Sequence, residues 1–266
     1  MLKTLIRLTM TLILAAGLTP AAADLLEEVR SSKTLRVGLS TFVPWAMRNR
    51  QGELVGFEVD VARRLAEDNE WTLELVPTAW DGIIPSLVAG KFDVIIGGLT
   101  ITPERARMVA FSDPYAHSGI QVVSLKDHAD RFPDAGTFNK PDVALAVRRG
   151  ATTARAARKH FPRAKLRQFD DDSQAYQELL NGRVDGVVGT SPLPAFMVAE
   201  HPDRLMIPFK ELLDEGNEAM AVRKGETAMI AHLNTWISQR ETDGWLAERH
   251  AFWFENISWK KEVPEQ

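Results

Sequence analysis

Apolar positions along this chain recur with two periods, and the switches between them mark out the elements. Leu35-Arg36-Val37-Gly38-Leu39 reads as a short strand, and the loop after it carries Phe42, Pro44 and Trp45. From Gly56 the apolar residues Val61, Ala62, Leu65 and Ala66 recur at helical spacing. Trp71 to Val76 alternates apolar with polar and predicts a strand. Asp81 stands where it can cap a helix through Ile83, Ile84, Leu87 and Val88, and Gly90 stops that helix. Phe92 to Ile96 predicts a buried strand of the parallel-sheet kind.

The same order then restarts. Val143 to Val147 is an apolar strand, Gly150 a turn, and Thr152 to His160 a helix. Leu166 to Phe169 predicts a strand, Asp171 or Ser173 a cap for the helix through Leu180, and Gly182 its end. Val184 to Val188 is another buried strand. Strands alternating with helices predict βαβ units and an α/β fold. One large sheet and two lobes both accommodate the repeat. Two lobes are favoured, because the polar stretch from Lys126 to Lys140, with Pro133, Gly136 and Asn139, separates the halves. The last helices carry Trp236, Trp245, Trp253 and Phe254, need an apolar partner, and are expected to return to the first lobe.

The first residues change the picture by assigning a compartment. Lys3 and Arg7 precede an apolar run from Leu8 to Leu18, and Ala21-Ala22-Ala23 precede Asp24. This is the three-part plan of a secretory signal peptide, with cleavage expected after Ala23. A membrane anchor is the alternative, but the run falls short of the roughly 20 residues needed to span hydrocarbon. The chain has no cysteine, so neither a lipid-bearing cysteine nor a disulfide is available to it, and cohesion must come from packing. Cleavage leaves about 240 residues, enough for one large or two ordinary domains. The net charge of −4 is small and the basic residues are scattered, which gives no support to nucleic-acid or anionic-membrane binding. With no nucleophilic cysteine, no phosphate loop and no ligand spacing among the six histidines, no metal or cofactor is expected.

Several motifs then point one way. Gly56-Phe57-Glu58-Val59-Asp60-Val61, continuing to Leu65-Ala66, resembles the signature of the family 3 bacterial extracellular solute-binding proteins. Trp80-Asp81-Gly82-Ile83-Ile84-Pro85, Gly97-Gly98-Leu99-Thr100-Ile101-Thr102-Pro103-Glu104-Arg105 and Phe111-Ser112-Asp113-Pro114-Tyr115 follow in that family's order. Weaker matches are Val147-Arg148-Arg149-Gly150 and Asn181-Gly182-Arg183-Val184-Asp185-Gly186-Val187-Val188. The resemblance spans essentially the whole mature chain. It implies a periplasmic, monomeric receptor for polar amino acids that serves an ABC permease in the inner membrane. It also implies a two-lobe type II (Venus flytrap) architecture, each lobe a mostly parallel sheet flanked by helices. Carried over here, residues 24–117 with 221–266 form the first lobe and 118–220 the second. Crossovers are expected near Ser118 to Val123 and Asn217 to Val222.

The resemblance also assigns roles within the cleft between lobes. Arg105, where a loop enters a helix, corresponds to the arginine that grips the ligand's α-carboxylate. A guanidinium can do so through two parallel hydrogen bonds. Its alternative is a surface position in the run Glu104-Arg105-Ala106-Arg107, where Arg107 is left. Gly98 allows close backbone approach, and Thr100 offers its N–H and hydroxyl to the same carboxylate. Phe42, Trp80 and Trp45 are expected as apolar walls, with core packing the alternative for each. Arg148, with Thr152 at a helix start that suits an anion, faces the ligand from the second lobe; a strand-end surface arginine is the alternative.

One departure from the family follows Val188. Where many relatives carry an aspartate for the ligand's ammonium, Thr190 stands here. Either Glu218, near the second crossover, replaces that acid, or the ligand lacks a primary ammonium and is an anion such as a dicarboxylate. The related cyclohexadienyl dehydratases are the enzymatic alternative. Their general-acid glutamate belongs in the segment Thr190-Ser191-Pro192-Leu193-Pro194, which has no acid. A receptor domain that regulates a membrane sensor is a third reading.

Overall fold

The computed structural model describes residues 24–255 and 257–262, so the expected signal peptide and its cleavage site lie outside the described residues. Helix α1 (Leu25–Ser32) is capped by Asp24, whose side chain accepts the Leu26 N–H, and buries Leu25, Leu26 and Val29. Strand β1 (Thr34–Leu39) follows, then a ribbon of β2 (Met47–Arg48) and β3 (Leu54–Val55). Helix α2 (Phe57–Asp68) buries the periodic stripe of Phe57, Val61, Ala62 and Leu65. Next come β4 (Thr72–Pro77), α3 (Ile83–Val88) and β5 (Val94–Ile95). A short helix, α4 (Pro103–Ala106), leads into the 17-residue strand β6 (Val109–Leu125).

The pattern repeats through β7 (Ala144–Arg148), α5 (Thr152–His160), β8 (Lys165–Phe169), α6 (Asp172–Leu180) and β9 (Gly186–Thr190). The chain closes with α7 (Leu193–Glu200), β10 (Leu205–Met206), β11 (Glu215–Arg223), α8 (Thr227–Thr242) and α9 (Trp245–His250).

One strand order runs through the whole molecule: β4-β1-β5-β11-β6-β9-β7-β8, with β10 on β6. On one side β1 lies parallel between β4 and β5; on the other β7 lies parallel between β8 and β9. The two ends are therefore copies of one βαβαβ plan. Antiparallel β6 and β11 join them. β11 pairs with β6 from Arg223↔Val109 to Glu215↔Gly119, and from Ile120 onward β6 pairs with β9 instead.

Each side has its own apolar core. Leu35, Val37, Val61, Leu65, Val94 and Ile96 pack with Leu233, Trp236 and Trp253, so the C-terminal helices return to the first half as expected. Val122, Leu145, Val147 and Phe161 build the second. Within β1, Gly38 is required by contact: a Cβ there would lie 2.3 Å from the ring of Phe92, two residues before β5.

Three expectations change. The stretch from Lys126 to Lys140 is not a spacer, because Phe132 and Phe138 are fully buried and stack at 4.2 Å inside the second core. Two aromatic anchors were enough to fold a polar segment onto the body. Asp81 does not cap α3: the helix opens as a 3-10 turn at Trp80–Gly82, which places Asp81 inside it, and Gly82 is the cap. The strand expected at Val184 starts at Gly186, while Asp171 does cap α6 by accepting the Gln174 N–H at 2.9 Å.

Candidate ligand-binding site

In open α/β sheets, ligands gather beyond the carboxyl ends of parallel strands where the strand order reverses. This fold supplies two such points, and they face one another. The ends of β1 and β5 present Phe42, Gly98 and Thr100; the ends of β7 and β9 present Arg148, Ala151, Thr152 and Thr190. Together with Trp45, Trp80, Thr153, Asp172 and Glu218 they line one narrow cleft. Thus nine of the ten residues singled out from sequence border one space. The tenth, Arg105, borders the adjoining groove beside Trp80, Ala151 and Thr152.

Arg105 sits in α4, whose Thr102 cap accepts the Arg105 N–H at 3.2 Å. Its guanidinium is only 8% exposed, donates to the Thr100 carbonyl at 2.8 Å and reaches across to the Gly150 carbonyl at 3.4 Å. Among the described residues no carboxylate pairs with it directly. Burial, with Arg155 adding like charge, pulls it down to about 10, which still leaves it a cation at neutral pH. A buried, unpaired guanidinium is costly unless a counter-charge arrives.

Thr100 links this cation to an acid. Thr100 and Glu218 form an isolated antiparallel bridge, and the Thr100 hydroxyl donates to Glu218 Oε1 at 3.3 Å. The Ser118 hydroxyl donates to the same oxygen at 2.6 Å, while buried Oε2 has no partner. Burial pushes the Glu218 carboxyl up to about 7 against these two hydrogen bonds.

Arg148 comes from the opposite side. Its guanidinium carbon lies 5.7 Å from the Phe42 ring centre and 5.3 Å from that of Trp80. It donates to Ser40 Oγ at 2.7 Å and to the Thr41 carbonyl at 3.1 Å. Asp172, the first residue of α6, stands 3.6 Å from its Nη1. Burial lifts the Asp172 carboxyl to about 6, with Arg148 opposing the rise.

Among the described residues, nine buried side-chain polar atoms lack a hydrogen-bond partner. Five of them belong to this cleft: Trp45 Nε1, Arg148 Nε, Thr153 Oγ1, Asp172 Oδ2 and Glu218 Oε2. Buried polar groups are normally satisfied, so the cleft concentrates hydrogen-bonding capacity that the chain itself leaves unmet. Trp45 is 1% exposed, stacks on Phe42 at 6.1 Å and backs Gly98, so it is a floor held by the core more than a wall.

The family model for "Bacterial extracellular solute-binding proteins, family 3" matches residues 35–256. The chain belongs to this family. Among its relatives, the L-cystine-binding protein TcyJ of Escherichia coli is 31% identical over 92% of each chain. A cyclohexadienyl dehydratase of Pseudomonas aeruginosa is 27% identical over 91% of each. The crystal structure of an ancestral amino-acid-binding protein, described as a precursor of cyclohexadienyl dehydratase, superposes with a TM-score of 0.80 at 37% identity. That match covers 87% of this chain and all of the other.

Within the family signature the structure shows what the acids do. Glu58 is fully buried in α2, accepting the Gly98 N–H at 2.7 Å and the Tyr115 hydroxyl at 2.6 Å. It thereby ties Gly56-Phe57-Glu58 to Gly97-Gly98 and to Phe111-Ser112-Asp113-Pro114-Tyr115. Burial raises its carboxyl to about 8, against both hydrogen bonds. Asp60 accepts the Trp253 indole N–H at 2.7 Å and so binds the C-terminal segment to the same helix.

Sequence reasoning missed Ser40, Thr153 and Asp172. Asp172 lay hidden in the run Asp170-Asp171-Asp172-Ser173, which reads as capping chemistry alone. Only the burial of one member of that run separates a cleft acid from a cap.

Proposed function

We propose that this protein is the exported amino-acid-binding component of an ABC importer. In this reading residues 24–117 with 221–266 form one lobe and 118–220 the other, and the two close on an α-amino acid. Closure is favoured by contacts that only the closed state makes. The observation that carries the reading is the Arg105–Thr100–Glu218 array. It sets a carboxylate-binding cation and an unpartnered acid oxygen on either side of one residue, which matches the adjacent carboxylate and ammonium of an α-amino acid.

Arg105, with the Thr100 N–H, holds the carboxylate, the Gly98 N–H being held by Glu58 and the Thr100 hydroxyl by Glu218; the start of α5 at Thr152 adds N–H groups that have no partner within the helix. Glu218 takes the ammonium in place of the acid that Thr190 lacks. Phe42 and Trp80 flank the side chain over the Trp45 floor. The closed lobes, as a monomer, are the form offered to the permease from the periplasm.

A thermal-shift screen of amino acids tests this, because a ligand that binds only the native state raises its melting temperature. Arg105→Ala should then weaken the best ligand at least about tenfold by calorimetry with the fold retained. Unchanged affinity would remove the carboxylate clamp. The enzymatic alternative draws on the dehydratase relative and on two cleft acids, Glu218 and Asp172, lifted to about 7 and about 6. Against it, the segment after β9 offers Thr190 and no acid. Turnover of prephenate by the same sample would establish that alternative.

A further inference from the structure

We infer that Arg148 reads the ligand's side chain, admitting α-amino acids that carry a second, distal carboxylate and excluding those with cationic side chains. The inference rests on the amino-acid-receptor reading above. Any side chain that leaves the Arg105–Glu218 pole between Phe42 and Trp80 meets a guanidinium already there, 5.7 and 5.3 Å from the two ring centres. Its position is set from both sides of the cleft. Nη2 is spent on Ser40 Oγ and the Thr41 carbonyl, at 2.7 and 3.1 Å.

The rest of the group is under-used. A guanidinium has five N–H donors, yet Nε is buried without a partner, and Nη1 stands 3.6 Å from Asp172, beyond hydrogen-bond length. A buried cation with donors to spare on Nε and Nη1 is complementary to a carboxylate, which takes a charge-assisted hydrogen bond from one of them.

Asp172 alone would invite a cation. Its charge, however, is already answered by Arg148, and it is Arg148 that lies against the rings. A lysine- or arginine-like side chain would bring a third cation against Arg148 and Arg105, whose guanidinium also stands 5.5 Å from the Trp80 ring. The slot between the rings therefore works as an anion seat, not as an aromatic cage for a cation.

Calorimetric titration of the protein and its Arg148→Met and Arg148→Lys variants tests this. The ligands are L-glutamate, L-aspartate and L-2-aminoadipate, set against L-glutamine, L-arginine and L-lysine. The unaltered protein should bind at least one of the first three about tenfold or more tightly than L-arginine and L-lysine. Arg148→Met should abolish that preference, weakening the preferred ligand at least about tenfold while changing L-glutamine less. Arg148→Lys, which keeps the charge, should retain part of it and carries the test if the methionine variant does not fold.

A ratio between ligands is unmoved by a merely structural role for Arg148. Equal or tighter binding of L-arginine or L-lysine by the unaltered protein would overturn the inference, as would a preference that survives in Arg148→Met. Failure to bind any of the six would instead remove the amino-acid-receptor reading, and this one with it.

Discussion

Replacing Glu218 by glutamine should move stability and ligand affinity in opposite directions. Folding raises the Glu218 carboxyl from 4.5 to about 7, chiefly through burial. A raised acid makes the native state bind its proton more tightly than the unfolded chain does. Its contribution to stability is therefore intact below 4.5 and is lost as pH rises to about 7. Above that the ionised group costs the fold up to about 3 kcal/mol, at about 1.4 kcal/mol per pH unit.

Glutamine keeps an oxygen for the Ser118 and Thr100 hydroxyls and carries no charge to desolvate. At pH 8 Glu218→Gln should melt higher, by roughly 6 to 12 °C at most for a chain of this size, and at pH 4.5 the two proteins should melt together. Binding should go the other way. Losing the counter-charge of a buried ammonium costs about 3 kcal/mol or more, two decades of affinity. Calorimetry between pH 6 and 8 should also show the unaltered protein losing affinity below about 7, while the variant stays flat. A variant that binds like the parent at pH 8, or that melts lower there, would refute the assignment of Glu218.

Two further perturbations test the frame around the site. Glu58 is raised by burial from 4.5 to about 8, so its stabilising share is lost as pH climbs through that interval. Glu58→Gln should gain resistance to urea at pH 9 and none at pH 4.5, measured as a shift in the unfolding midpoint. Gly38→Ala would drive a methyl to 2.3 Å from the Phe92 ring. It should cost about 1 to 3 kcal/mol of unfolding free energy, as overpacked cores do, and a urea melt like the parent's would show that the ring gives way freely.

Much of the fold is legible in the order of residues, and the elements that were missed share a cause. The predicted span of α5 matches the structure, and α2, α6 and β7 lie within a residue or two of their predicted limits. In each of these, local spacing and a Gly or Asp stop agree with the burial. Strand β6 was visible only as a crossover near Ser118, because Asp113-Pro114 reads as a break. Its pairing with β11 absorbs the proline in a register shift at Pro114↔Ala219, which no local pattern announces. Phe132 and Phe138 sit in polar surroundings in the chain, and only Phe161 and Phe209, distant in sequence, make them core.

By itself the sequence determined the α/β plan, the family, and the residue types gathered at the strand ends, since strand period, turn glycines and motif order are local properties. What only the tertiary structure decided is how the charges in the cleft are shared. Glu218 lies 118 residues from Thr100 and Arg148 lies 108 from Ser40, and neither pairing has a trace in local pattern. Whether a carboxylate is a cap, a counter-ion or an unpartnered acid depends on burial and on what lies across the cleft, and those are set by the packing of the two halves, not by neighbours along the chain.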